Sequence, residues 1–318
     1  MARVDLRIDK VDLQILKILT NDCRTSYRTI GKTLGISANT ARTRINNLIL
    51  NKTIEQFFTI VNFSLFGYSN VLTILLKISN NRHNVIDKVV KTLRDWGPMY
   101  LHIEIFDGVH VFGIAVKDAD IANNNIKTLR GDLSKVEGNT ISIFDFFFGK
   151  PTSLVSEKFH LRRLDLKIIE CLLLDPRITF RDIARTLRCS QKTVIRRIEK
   201  MKSNRVILGF SLQYNPSNMK GYNYFSVLLH ILPNLGAEVI KEINNSELNE
   251  YILRFPPFSY HNRIIINFHI ENIFDIESII SKIRSIKGVV KADAYQPVKI
   301  EWHEDWIKKM TQNMILSI

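Results

Sequence analysis

The chain is short of the residues that build disulfide scaffolds, metal centres or membrane spans. Three cysteines, Cys23, Cys171 and Cys189, stand in 318 residues, an odd number with no CxxC spacing. That argues against both a disulfide framework and a zinc site. No apolar run approaches the ~20 residues of a bilayer span. The longest, such as Val71–Leu76 and Phe144–Phe148, have the length of a strand. The opening residues are charged and lack the apolar stretch of a secretory signal, so a reduced, cytosolic protein without a membrane partner is expected. Metalloprotease, P-loop and dinucleotide-binding motifs are absent, and no cofactor is expected.

What the chain has in excess is positive charge. Lys and Arg number 45 against 31 Asp and Glu, a net charge of +14. The window Arg24–Ile54 holds six cations and no acid; Arg177–Ile207 holds ten, offset only by Asp182 and Glu199. These windows, at +6 and +8, contain the whole excess, and the remainder is formally neutral. A surface charged for solubility would spread its cations. Two short cationic segments on a neutral scaffold point to a polyanion with two contact sites.

The windows are copies of one another. Sliding the chain by 153 residues matches Asp12 to Asp165, Leu19 to Leu172, Arg28 to Arg181, Ser37 to Ser190 and Arg44 to Arg197. In all there are 16 identities over 43 positions without a gap. A single offset held over that length marks a duplicated unit of about 150 residues.

Each copy opens with apolar residues at helical spacing: Leu13, Leu16 and Leu19, then Leu166, Ile169 and Leu172. Ser26 and Thr179 are placed to cap a second short helix, and Ser37 and Ser190 a third. The third helix turns Ala41, Ile45 and Leu48 (or Val194, Ile198 and Met201) inward, and polar, basic residues outward. Two short helices joined by a tight turn form a helix-turn-helix, whose second helix reads the major groove. Strand, helix, strand, strand, helix, strand then follow in both copies, over 71–148 and 224–295, with Asp107-Gly108 as a hairpin turn. The expected fold is α+β: two repeats, each a winged helix-turn-helix followed by a ferredoxin-like βαββαβ domain. The expected boundaries are 1–60, 61–150, a linker 151–163, 164–214, 215–300 and an amphipathic helix over 301–318. In that last segment Trp302, Trp306, Met310 and Met314 form one stripe.

These residues resemble the leucine-responsive regulator/AsnC family of prokaryotic transcription regulators. The signature reads Asp9-x-x-Asp12-x-x-Ile15-Leu16, then Asp22-x-Arg24-x-Ser26, Ile30-Gly31-x-x-Leu34-Gly35-Ile36-Ser37 and Arg44-Ile45. The second repeat keeps most of it. The resemblance implies a cytoplasmic, nucleoid-associated protein that binds double-stranded DNA and is not an enzyme. It also implies ferredoxin-like sheets that pair as in the family's dimers, here within one chain as a pseudo-dimer, and further homo-oligomer formation. A small-molecule effector such as an amino acid would be met around Asp107, Gly108, His110, Tyr260 and Arg263. The family's Gly-x-x-Asp element is missing there, as is the usual glycine in Asn51-Lys52-Thr53-Ile54 and in Asn204-Arg205-Val206-Ile207.

Within the reading helices, Asn39, Arg42, Thr43, Lys192 and Arg196 are expected to reach base edges. Arg28, Lys32, Arg181 and Arg185 are expected to meet phosphates. Arg44 and Arg197 are expected to make phosphate or structural contacts. Unlike residues at matching positions imply unlike half-sites. Two rival functions share the fold pattern. One is a haem-pathway decarboxylase acting on a tetrapyrrole, for which Tyr251-Ile-Leu-Arg254 and Tyr260-His261 are the nearest convergent string. The other is an architectural DNA-binding protein with no effector.

Overall fold

The computed structural model describes residues 7–78, 83–118, 126–136, 141–151, 155–156, 159–253, 258–260 and 262–317. The helix expected over 121–129 begins outside these residues. Arg254, Pro256, Pro257 and His261 lie outside them too.

The first repeat runs α1 (Lys10–Asn21), α2 (Tyr27–Leu34), α3 (Ala38–Leu50), β1 (Ile54–Val61), β2 (Asn70–Ile78), α4 (His83–Trp96), β3 (Met99–Ile105), β4 (Val109–Val116), α5 (Ile126–Ser134) and β5 (Ile141–Pro151). The second runs α6 (Arg163–Leu174), α7 (Phe180–Thr186), α8 (Gln191–Ser203), β6 (Ile207–Tyr214), β7 (Asn223–Ile231), α9 (Gly236–Asn245), β8 (Ile252–Leu253), β9 (Phe258–Tyr260), β10 (Arg263–Ile270), α10 (Asp275–Arg284) and β11 (Val289–Tyr295). β12 (Pro297–Trp302) and α11 (Asp305–Ser317) close the chain. No helix among the described residues is long and apolar enough to cross a membrane.

The chain divides into two compact units, and each takes its parts from both repeats. The first unit joins Met1–Gln56 to Ser211–Pro256 and Tyr260–Lys299; the second joins Phe57–Phe210 to Pro257–Ser259 and Ile300–Ile318. The helix-turn-helix of each repeat is therefore grouped with the ferredoxin-like layer of the other. β1 and β6 pair as a two-stranded ribbon, and each strand begins in one unit and ends in the other.

In the first unit β7 lies between β11 and β10, antiparallel to both. Val227, Leu229, Ile266 and Phe268 of this sheet bury against Val239 and Ile243 of α9 and Ile279, Ile280 and Ile283 of α10. α1 and the residue two before it attach through polar contacts as well. Ser211 Oγ donates to the Thr20 carbonyl at 2.8 Å, Ile8 N–H to the Lys220 carbonyl at 2.9 Å, and the Lys17 ammonium to the carbonyls of Asn249 and Glu250.

In the second unit β2 lies between β5 and β4, with β3 on the far side of β4. Leu72, Ile74, Phe112 and Ile114 pack against Val85, Val89 and Leu93 of α4 and Leu129 and Leu133 of α5. The Asp107-Gly108 hairpin holds two successive left-handed residues, φ 73° and 71°, as a primed turn requires. Thr59 Oγ1 donates to the Leu172 carbonyl of α6 at 2.6 Å.

The C-terminal stripe is split, in contrast to the sequence expectation. Trp302 ends β12, next to β3, and the His303 N–H donates to the Tyr100 carbonyl at 2.9 Å, which holds the backbone extended there. Only Trp306, Met310 and Met314 belong to α11, which packs on α6. The Trp306 ring meets Phe63, Phe66 and Tyr68 at 5.0, 5.8 and 5.5 Å.

Two buried histidines make the fold acid-sensitive. In the first unit His269 is fully buried between the rings of Tyr224 at 4.9 Å and Tyr214 at 5.3 Å, and burial, aided by the Lys17 charge, pushes it down to about 3. In the second, burial and then the neighbouring His110 push His102 down to about 4. Both values lie below the ordinary 6.5, so unfolding takes up protons between these limits. The stability gained by keeping these two imidazoles neutral should be fully present above pH 6.5 and be lost as pH drops toward 3. A His269→Phe chain should lose less stability than wild type between pH 7 and pH 4 in denaturant titrations. An equal loss would remove this imidazole from the acid-sensitive set.

Candidate nucleic-acid interface

Local sequence chemistry starts α3 and α8 in the same way. Ser37 Oγ accepts the Thr40 N–H and Ser190 Oγ the Thr193 N–H, each at 3.0 Å, so both helices start one residue after a capping serine. Gly35, at φ 68°, makes the tight turn before the first; Arg188, at φ 52°, takes the same left-handed place before the second. Lys52 and Arg205, at φ 59° and 63°, occupy the turn after the helix where the family's glycine is missing. The conformation is kept without the glycine, at the steric cost of a Cβ in the left-handed region.

Asn39, Arg42 and Thr43 on α3, and Lys192 and Arg196 on α8, are all exposed. Arg28 and Lys32 on α2, and Arg181 and Arg185 on α7, are exposed on the preceding helices. Arg185 already holds Asp182 at 2.6 Å. Gln191 is exposed at the first position of α8, where α3 has Ala38. Lys200 and Lys202 add exposed cations in the last turn of α8.

Arg44 and Arg197 part company. The Arg197 guanidinium is 7% exposed and pairs through both Nε and Nη2 with the carboxylate of Asp165, itself fully buried. In this structure it fills the structural role of the two that the sequence reading allowed, and at 7% exposure it turns little surface to a phosphate. Arg44 is 30% exposed and bonds Asp9 and Asp12 at 2.9 Å each. The signal was present in the sequence, since both repeats keep Asp and Arg 32 residues apart.

The effector candidates are shared between the two units. In the second unit Asp107 sits at the exposed hairpin tip, where it pairs with Lys77 at 2.5 Å. His110 is buried, its Nδ1 at 3.1 Å from His102 Nε2, and His102 Nδ1 lies 3.1 Å from Glu301. In the first unit Tyr260 and Arg263 are strand partners across a tight turn, and Arg263 donates to the Asn262 carbonyl at 3.2 Å. His110 is packed against the Phe112 and His102 rings, with its Nδ1 engaged by His102.

The AsnC-type helix-turn-helix domain matches twice, at residues 8–49 and 163–202. An HTH-type transcriptional regulator of Methanocaldococcus jannaschii is 31% identical over 102 residues, 32% of this chain and 69% of that one. One of Pyrococcus horikoshii is 28% identical over 134 residues, 41% of this chain and 85% of that one. Among solved structures, a siroheme decarboxylase, NirDL, covers 97% of this chain and 99% of its own at 14% identity and TM-score 0.47. The E. coli AsnC structure covers 46% of this chain and 95% of its own at 18% identity and TM-score 0.31.

The two carboxylate–guanidinium sites differ in burial, and so should their contributions. Asp165→Ala strands a buried Arg197, which costs about 3–5 kcal/mol. Asp12→Ala leaves Arg44 half-exposed and still bonded to Asp9, and should cost about 1 kcal/mol or less. Denaturant unfolding of the two variants checks the difference, and equal losses would contradict it.

Proposed function

Since the chain belongs to the AsnC-type helix-turn-helix transcription regulators, in a form that carries the module twice, we propose that one chain binds double-stranded DNA through two reading heads and does alone what a pair of single-repeat chains would do. The observation that carries this reading is the placement of charge. The exposed residues Arg28, Lys32, Arg42, Arg181, Arg185, Lys192 and Arg196 lie on the second and third helices of the two modules, within the windows that hold the entire net charge.

On this reading Arg28, Lys32, Arg181 and Arg185 neutralise phosphates and set position. Asn39, Arg42, Thr43, Lys192 and Arg196 reach base edges from the outward faces of α3 and α8, the helices that enter the groove in such modules. Affinity comes mainly from counterion release, and preference from the few base contacts. The protein is a binding protein rather than a catalyst, and its place in the cell is with the DNA.

Duplex titrations over a range of salt test this directly. With ~6–10 phosphates neutralised, log affinity should fall against log salt with a slope of about −0.9 per contact. A flat response would overturn the proposal. Tethering both heads on one chain holds the second at high effective concentration, so affinity should persist at dilutions that split ordinary dimers. An ultraviolet–visible spectrum of the purified protein with a bound tetrapyrrole would favour the decarboxylase instead.

A further inference from the structure

Duplication has left the two reading helices with one frame and two chemistries. The outward positions are the second, fifth, sixth and ninth residues of each helix. In α3 these are Asn39, Arg42, Thr43 and Asn46, all exposed. In α8 they are Lys192, Ile195, Arg196 and Glu199, exposed apart from a half-buried Ile195. Lys192 and Glu199 are seven residues apart, two turns along one line of the helix and about 10 Å along its axis. Arg196 lies between them.

An anion on the face that meets a polyanion is costly unless it finds a donor. Glu199 is one of only two acids in its window, and the other, Asp182, is taken by Arg185 on the preceding helix. In the major groove guanine offers acceptors only, thymine an acceptor and a methyl group, and adenine an acceptor beside its amino group. Cytosine presents an amino donor, and a carboxylate is suited to it. Asn46, at the same place in the first repeat, can donate or accept and carries no charge to repel.

We propose that Glu199 is a specificity-determining residue, which selects a cytosine at the base it faces in the half-site read by the second repeat. It acts twice over: by accepting from the cytosine amino group and by repelling bases that present acceptors there. Lys192 and Arg196 beside it suit guanine, whereas Asn39 and Asn46 suit adenine. The two half-sites thus differ in composition, one carrying G·C pairs and the other richer in A·T. This inference rests on the DNA-reading role of α8 proposed above.

The test is selection of binding sites from random duplexes by the full chain, its Glu199→Gln variant and its Asn46→Glu variant, with competition between matched and mismatched duplexes. Wild type should enrich sites with a cytosine at a fixed position in one half only. Glu199→Gln should lose that preference, by about 5- to 150-fold for a contact worth ~1–3 kcal/mol, while binding duplex DNA more tightly overall. Asn46→Glu should impose a cytosine in the other half. An unchanged base preference in Glu199→Gln would overturn the assignment and leave DNA binding intact. Absence of salt-dependent duplex binding by wild type would overturn the DNA-reading function, and this inference with it.

Discussion

A hydroxyl from one repeat seated on the first helix of the other is the contact on which both units depend. In the second unit Thr59 of β1 donates to the Leu172 carbonyl near the end of α6; in the first, Ser211 of β6 donates to the Thr20 carbonyl near the end of α1. Both hydroxyl residues are buried, at 1% and 4% exposure. The last carbonyls of a helix have no partner within it, and burying one unsatisfied costs about 1–3 kcal/mol. Each strand therefore answers a need that the opposite repeat creates. The repeats cross over: each helix-turn-helix is grouped with the ferredoxin-like layer of the other repeat.

That crossing divides the labour among the charges. Those that hold each head together are drawn inward: Asp165 with Arg197, and Asp9 and Asp12 with Arg44. The remaining cations of α2, α3, α7 and α8 stay at the surface; Arg185 holds Asp182, and Lys200 and Lys202 lie over the rings of Phe159 and Phe210. The signature arginines thus belong to the heads' own ion pairs, and their outward neighbours on the helix differ between the repeats. Duplication within one chain frees each head to diverge, whereas two identical chains must read the same sequence twice.

Much of this was legible in the sequence, because it depends on local chemistry. The capping serines, the 153-residue offset, the order of strands and helices and the Asp107-Gly108 turn all appear where spacing and residue type put them. What escaped is non-local. Nothing in the apolar pattern of 54–61 distinguishes a strand that stays with its own repeat from one that leaves it. The burial of Arg197 depends on Asp165, 32 residues away, and a sequence window read alone shows only another cation. Trp302 fits a helical stripe, but backbone pairing beside β3 decides otherwise. Lys52 and Arg205 hold left-handed turns that composition would assign to glycine.

The crossing of repeats is the central claim, and zero-length cross-linking tests it most directly. Lys10 of the first repeat lies 4.0 Å from Glu271 of the second, both at the surface of the first unit. Carbodiimide treatment at low concentration, isolation of single chains and mass spectrometry of their peptides should recover a Lys10–Glu271 link. Links from Lys10 to acids within 61–150, with none to Glu271, would show that each helix-turn-helix sits on its own repeat and would contradict the account.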